Sequence, residues 1–394
     1  MSNTTVRALE KDDLEALLRI RRFAFLDDTD YDDREKRERF LDYMQHMSGC
    51  FADGELVAAS AMLPFSMYLS GCSESVAGLA SVVSAGAQRR RGYVRRLLRA
   101  MLTDLHRKGV GWCLEYPFDQ RYYAKFGWQT ISNGYFAKVP TTLLPDAGPV
   151  DGVRRIDPEN STDVAVLRRI YGQWARQFNF TMARDEAVRP DWDNLVADHR
   201  GTSEQRFVFA LDDGAYCILS IRRDEEQNEI AKVLDWAYAT PEHREKLLHY
   251  WATLRGQIEC FEIQIPDGDP LLWKFSPHLV ANPQPLQARI VDIPSALSGM
   301  RCAAEIDAVV RVHDEFCPWN DATFRIVTNG DELHVELTDD TPATELDIET
   351  LALLASGTPV DHLRAGLVDG DDAIASNLSS LSDRPAYMSL CDYF

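Results

Sequence analysis

From residue 94 onward the apolar positions keep one spacing. Val94, Leu97, Leu98, Met101, Leu102 and Leu105 fall at i, i+3, i+4, i+7, i+8 and i+11, which places them on one face of a helix. The stretch before it follows another rule. VAGLASVV (76–83) is a short apolar run that reads as a buried strand, and VGWCLEY (110–116) returns to strand after the helix. CFADGELVAASAM holds Asp53-Gly54 at its centre, the dipeptide of a tight hairpin turn. Further upstream, VRAL (6–9) is a short strand. DDLEALLRIRRFAF is a helix with Asp12 as its expected N-cap and Leu14, Leu17 and Leu18 on one face, and DDREKRERFLDYMQHM is a second, charged helix.

The middle of the chain repeats this grammar. DVAVLRRIYGQWARQF is helical, and RFVFALDDGAYCILSIRR is a hairpin turning at Asp213-Gly214. VLDWAYATPEHREKLLHYWATL then copies the strand–loop–helix shape of residues 82–102. The last third alternates as short strands (AVVRVHDEF, TFRIVTN, ELHVELT) and ends in the helical ELDIETLALLASG. Two stretches rich in Pro and in Gly or polar residues, 139–152 and 276–287, interrupt the pattern. They divide the chain into three expected domains, 1–145, 146–285 and 286–394, which suits a length of 394 residues.

Composition narrows the possibilities. No apolar run reaches the ~18 residues of a membrane span, and the start, MSNTTVRALEKDDLE, has no hydrophobic stretch to act as a signal peptide; a cytoplasmic protein is expected. The eight cysteines include no CxxC pair, and no Cys/His set has zinc spacing, so they read as reduced buried thiols and no metal is expected. A formal net charge of −20 speaks against a nucleic-acid partner; it serves solubility or steers cationic substrates. The basic residues are 34 arginines and only 8 lysines.

Against that acidic background stands QRRRGYVRRLL (88–98), with five arginines in eleven residues. Three of them crowd the expected start of a helix, where the dipole is positive and cations are disfavoured. The same helix start offers unsatisfied N–H groups, and Gly92 lets another molecule approach the backbone closely. Together these bind phosphate. A multiply charged phosphate ligand explains Arg90, Arg91 and Gly92 better than a solvated basic face, which remains open for Arg95, Arg96 and Arg99.

The wider segment SVVSAGAQRRRGYVRRLLRAMLTDLHRKG resembles the acetyl-CoA-binding core of the GCN5-related N-acetyltransferases (GNAT). RYYAKFGW (121–128), FCPWN (316–320) and the aromatic carboxyl end CDYF are similar to elements of their Eis (enhanced intracellular survival) branch. The resemblance spans the whole chain. It implies an α/β (α+β) protein: two tandem acetyltransferase folds, the first binding acetyl-CoA and the second degenerate, then a sterol-carrier-protein-like domain. It implies a homo-oligomer, a hexamer built from trimers. On this resemblance Val82, Val83 and Ser84 lie beside the pantetheine and thioester, and Arg90, Arg91, Gly92, Tyr93, Val94 and Arg95 wrap the pyrophosphate. Phe118 and Asp119 match two further cofactor-contact positions, where the family often has Ser-Glu. The corresponding turn of the second domain, ATPEHREK, has two glutamates and no glycine. It would repel a pyrophosphate, which leaves one active site per chain.

Acetyl transfer to an amine needs a neutral amine, stabilisation of the oxyanion and a proton for the departing thiolate. A backbone N–H around Val83 suits the oxyanion. The resemblance makes Tyr123 the acid, with core packing as the plain alternative, and the α-carboxylate of Phe394 the base. The expected activity is therefore acetyl-CoA-dependent N-acetylation of a small, cationic primary amine by direct attack. The alternatives are a hydrophobic-ligand carrier with a vestigial transferase, or a purely structural oligomer.

Overall fold

A computed structural model describes residues 3–132, 134–145, 148–184, 192–197, 199, 205–225, 227–281, 285–357, 378, 381–382 and 384–394. The expected hairpin turns on Asp53 and Gly54, both in left-handed backbone (φ 49° and 88°), with Ala52 paired to Glu55 across it. Its strands, Met47–Ala52 and Glu55–Leu69, continue into Cys72–Ser84 to form the meander.

Among the described residues the strands form three sheets. The first has the order Thr4–Ala8, Met47–Ala52, Glu55–Leu69, Cys72–Ser84, Trp112–Glu115, Leu286–Ile290, Gln129–Ser132, and Thr181–Met182 adds to Glu55–Leu69. The second runs Leu279–Ala281, Tyr135–Pro140, Cys260–Ile265, Glu229–Tyr238, Ala215–Arg223, Arg206–Leu211, Val153–Arg155. The third runs Glu332–Leu337, Thr323–Asn329, Asp307–His313, Thr344–Asp347.

Strand pairing crosses both breaks expected near 145 and 285. Tyr135–Pro140, from the first segment, lies in the second sheet against Cys260–Ile265. Leu286–Ile290, from the third, lies in the first sheet between Trp112–Glu115 and Gln129–Ser132. The chain therefore passes from the first sheet to the second between Gln129–Ser132 and Tyr135–Pro140 and returns between Leu279–Ala281 and Leu286–Ile290, so neither passage falls at the break expected near 145.

Helices cover both faces of the first sheet. Leu14–Phe25 and Arg34–Met44 pack one face, where Leu14, Leu17, Phe40 and Met44 meet Ala59, Ala61 and Val83. Tyr93–Arg107 packs the other, where Leu97 and Met101 meet Cys50, Val57 and Ala58. Asp12 is not the cap of the first helix. A one-turn 3-10 helix, Lys11–Asp13, precedes it, and the Asp13 carboxylate turns back to accept the Glu10 N–H at 2.8 Å. ELDIETLALLASG is helical only from Ile348; Thr344–Asp347 is drawn into the third sheet by parallel pairing with Asp307–His313. The Ile348–Ala355 helix shares a core with Leu286, Ala288 and Ile290, which joins the third domain to the first. Among the described residues no helix is long and apolar enough to cross a membrane.

Candidate active site

The first sheet forks at its centre. Cys72–Ser84 pairs in parallel with Trp112–Glu115 at Val76↔Trp112, Ala77↔Cys113 and Gly78↔Leu114, and no further. On its other side it stays paired to Glu55–Leu69 as far as Ser84, across a register shift between Ala59 and Ala61. Ser81, opposite that shift, takes φ 53°. Val82, Val83 and Ser84 therefore lie on an arm whose outer edge has no strand partner among the described residues. Backbone groups on such an edge suit an extended polar ligand.

The arm leads through a short turn to Arg89–Gly92 and the Tyr93–Arg107 helix. Arg90 and Gly92 both have left-handed backbone (φ 63° and 80°), and Gly92 is the N-cap without any side-chain cap. No acidic residue stands in the first turn. The helix start presents uncapped N–H groups and a positive dipole end to open space. Arg90, Arg91 and Arg95 are exposed, while Tyr93 and Val94 turn inward. Tyr93 and Val94 can thus offer a ligand only backbone. Arg95 and Arg99 lie over the Phe316 ring at 5.1 and 4.9 Å, so the third domain holds these two. The remaining cations, the open helix end and the bare N-cap fit a pyrophosphate.

Asp119 is used locally: it caps the Gln120–Ala124 helix, accepting the Arg121 N–H at 3.0 Å. Phe118 is exposed. That cap turns Tyr123 inward to 3% exposure, edge-on to Phe118, Tyr122 and Trp128. The glycine of the YYAKFGW element has a steric reason. Gly127 has φ 86°, and a Cβ there would stand 1.5 Å from Arg289 Nη1, which donates to the Phe126 carbonyl at 2.5 Å. Arg289 Nη2 also donates to both carboxylate oxygens of Asp314 (2.9 and 2.7 Å). Asp314 in turn accepts the Phe316 and Cys317 N–H groups, while Trp319 and Asn320 donate to the Val291 carbonyl. FCPWN is thus a latch that fastens the third domain behind the Tyr123 helix.

Burial, reinforced by Glu115 and Tyr122, pushes the Tyr123 phenol well above its ordinary value. Glu115 does not stand out in the sequence. It is 2% exposed at the end of Trp112–Glu115, and burial raises its carboxyl well above the usual carboxylate range. The signal that could have found it is a lone acid in the strand sequence WCLEY.

The carboxyl end reaches the same fork. The Phe394 ring packs on Phe65 (4.7 Å between centroids) and Tyr116 (5.6 Å), and Tyr393 stacks on Tyr116 at 4.1 Å. A Cβ at Gly78 would stand 2.6 Å from the Phe394 ring, so only glycine leaves room there. Successive strand residues point to opposite faces: Ala77, Leu79 and Cys113 pack with Tyr123, while Gly78 faces Phe394. Tyr123 and Phe394 stand on opposite sides of the fork.

The second fold closes its equivalent helix. Thr240 caps Pro241–Thr253 through the His243 N–H, Pro241 supplies no N–H, and Glu242 occupies the first turn.

Comparison with known proteins agrees with this geometry. Residues 5–131 and 181–290 each match an acetyltransferase (GNAT) domain family, and residues 293–389 match a sterol carrier protein domain. The chain carries two GCN5-related acetyltransferase (GNAT) domains followed by a sterol carrier protein domain. An uncharacterized N-acetyltransferase of Streptomyces avermitilis is 23% identical over 300 residues, 66% of each chain and so just under two thirds of that relative. One from Streptomyces coelicolor is 23% identical over 76% of each. Among solved structures, a GCN5-related N-acetyltransferase from Anabaena variabilis shares the fold over 100% of both chains (TM-score 0.82, 19% identity). Eis1 from Mycobacterium abscessus does so over 98% of this acetyltransferase and 99% of its own length (TM-score 0.76, 19% identity).

Proposed function

We propose that this acetyltransferase moves the acetyl group of acetyl-CoA to a small primary amine by direct attack, at one site per chain in the first domain. One observation carries the reading: the unpaired arm 79–84 runs into an uncapped helix start ringed by arginines, with Tyr123 and Phe394 on opposite sides of the fork. Acetyl-CoA supplies the activated thioester. Arg90, Arg91 and the N–H groups of Tyr93 and Val94 hold its pyrophosphate. The backbone of Val82–Ser84 aligns the pantetheine, and an N–H near Val83 meets the charge that develops on the carbonyl oxygen. Tyr123, kept protonated by its surroundings, donates to the departing sulfur. The carboxylate of Phe394, whose ring is seated against Phe65, Tyr116 and Gly78, takes the proton of the attacking amine directly or through water. It also attracts a cationic substrate, as does the net charge of −20.

The degenerate second fold and its capped helix support one site per chain. The resemblance carries an assembly as well, a hexamer built from trimers, to be sought by light scattering at moderate and high salt because a charge of −20 resists association unless screened. The test of the central reading is calorimetry with acetyl-CoA, followed by acetyl-CoA consumption across a panel of amines. Binding at one equivalent per chain and turnover with at least one amine is the expected result. A chain stabilised by fatty acids and indifferent to coenzyme A would overturn it.

A further inference from the structure

The second sheet forks in the same way as the first. Glu229–Tyr238 and Cys260–Ile265 pair in parallel at Ile230↔Cys260, Ala231↔Phe261 and Lys232↔Glu262 and then part. Here too the register shifts on the far side, between Ile218 and Leu219, just past the fork. In the first domain this fork is the proposed seat of the pantetheine. In the second it is filled by the chain's own carboxyl end.

The contacts come from both arms. Gln264 Nε2, on one arm, donates to the Met388 carbonyl at 3.0 Å. Ser389 Oγ donates to Asp235 Oδ1, on the other arm, at 2.7 Å. Asn179 flanks the segment with two backbone bonds, its N–H to the Pro385 carbonyl and its carbonyl from the Tyr387 N–H, both 2.9 Å. At the base of the slot lies Arg184, 3% exposed. It grips Asp235 at 2.6 and 3.1 Å and Asp392 at 3.0 and 3.0 Å, with its guanidinium 3.8 Å over the Tyr171 ring. Two residues beyond Asp392 the chain ends on Phe394, inside the fork of the first domain.

We propose that the cofactor groove of the second acetyltransferase fold serves as the docking slot for the chain's own carboxyl end, and that Arg184, acting through Asp392, is the positioning residue for the terminal carboxylate at the first domain's site. The slot cannot hold a cofactor and the tail together. A buried guanidinium serving two carboxylates is a poor way to gain stability, since apolar groups of like volume would do as well or better. Its directional bonds instead fix the register of a segment that has only one turn of regular structure, Leu390–Asp392. The degenerate domain thereby acquires a role of its own, because it holds the tail at a set distance from Phe394. The positioning half rests on the reading of the Phe394 carboxylate as base.

The test uses the full-length protein and two substitutions that leave the Arg184–Asp235 pair in place, Asp392→Ala and the milder Ser389→Ala. Removing Arg184 itself would strand two buried carboxylates, so it is not used. Three quantities are read: release of Phe394 by carboxypeptidase A under native conditions, the Kd of coenzyme A, and kcat with an amine the parent accepts. In Asp392→Ala, release is expected to rise tenfold or more and kcat to fall tenfold or more, with coenzyme A affinity within twofold; Ser389→Ala shifts the same way by less. Release within twofold of the parent in both variants overturns the docking slot. Faster release with unchanged kcat leaves the slot standing and overturns the positioning role alone; the terminal base stands or falls separately, with the kcat of a chain extended by one glycine after Phe394.

Discussion

Glu115 and Gln287 face one another as register partners on adjacent strands, and each leaves its Oε1 buried without a hydrogen-bond partner. Two acceptors cannot satisfy each other unless one carries a proton. Burial raises the Glu115 carboxyl well above its usual range, so the proton belongs on Glu115. A carboxyl whose folded pKa is raised contributes stability below its unfolded value, about 4.3, and that contribution is lost as pH rises through the folded pKa. Glu115→Gln, a neutral near-isostere, should gain on the parent progressively as pH rises from 5 to 9. Urea unfolding at pH 5, 7 and 9 measures the gap; curves that stay parallel would mean that Glu115 is ionised throughout.

The phosphate loop gives a second prediction. Arg90→Glu and Gly92→Asp place negative charge at an uncapped helix start, where a pyrophosphate is to be held. Each should weaken acetyl-CoA binding tenfold or more in calorimetry while the far-ultraviolet circular dichroism stays unchanged. Free coenzyme A should lose as much, because the loop holds the pyrophosphate and not the acetyl group. Equal affinity in parent and variants would show that the arginines form only a solvated face.

How much of the fold and the site is legible in the sequence depends on the range of the interaction. The Tyr93–Arg107 helix is written in the spacing of Val94 to Leu105 because its periodicity is local, and the Asp53-Gly54 turn is written in two residues. The placement of Tyr135–Pro140 and Leu286–Ile290 is not legible: a strand's sequence records that it is buried, not which sheet buries it. The loop at Arg90–Gly92 is readable because cations at the wrong end of a helix are a local contradiction. Arg184 is not, since nothing in TMARD shows that it meets Asp392 across 208 positions. FCPWN stands out as a motif, but its work as a latch on Arg289 and Val291 becomes visible only in three dimensions.

Tyr123 gives a third prediction. Tyr123→Phe removes one hydroxyl from a packed ring, so coenzyme A affinity should hold within about twofold while kcat falls tenfold or more. The parent phenol is raised above the ordinary value of about 10, so it stays protonated across the working range. The kcat–pH profile should therefore show no falling limb from Tyr123 below pH 10. A loss seen only in KM would assign the hydroxyl to substrate binding.

The last prediction concerns the terminal carboxylate. An α-carboxyl has a reference pKa of about 3.3–3.7, almost 7 units below an alkylammonium near 10.4. As a base it needs desolvation to raise it and lower the amine, or a bridging water. Its placement then matters more than its strength, and placement comes from the Asp392 anchor and from the Phe394 ring seated against Phe65 and Gly78. One appended glycine leaves both anchors intact and moves only the charge, by up to about 3.5 Å. Three chains separate ring from charge: one ending at Tyr393, one with Gly added after Phe394, and Phe394→Ala with the terminus in place. The extended chain should lose kcat as severely as the shortened one, by tenfold or more, with coenzyme A affinity unchanged in all three. Phe394→Ala should lose less, because its carboxylate keeps its distance from Asp392. Full kcat in the extended chain would remove the terminal carboxylate from the reaction, and deprotonation of the amine would pass to an internal group or to solvent.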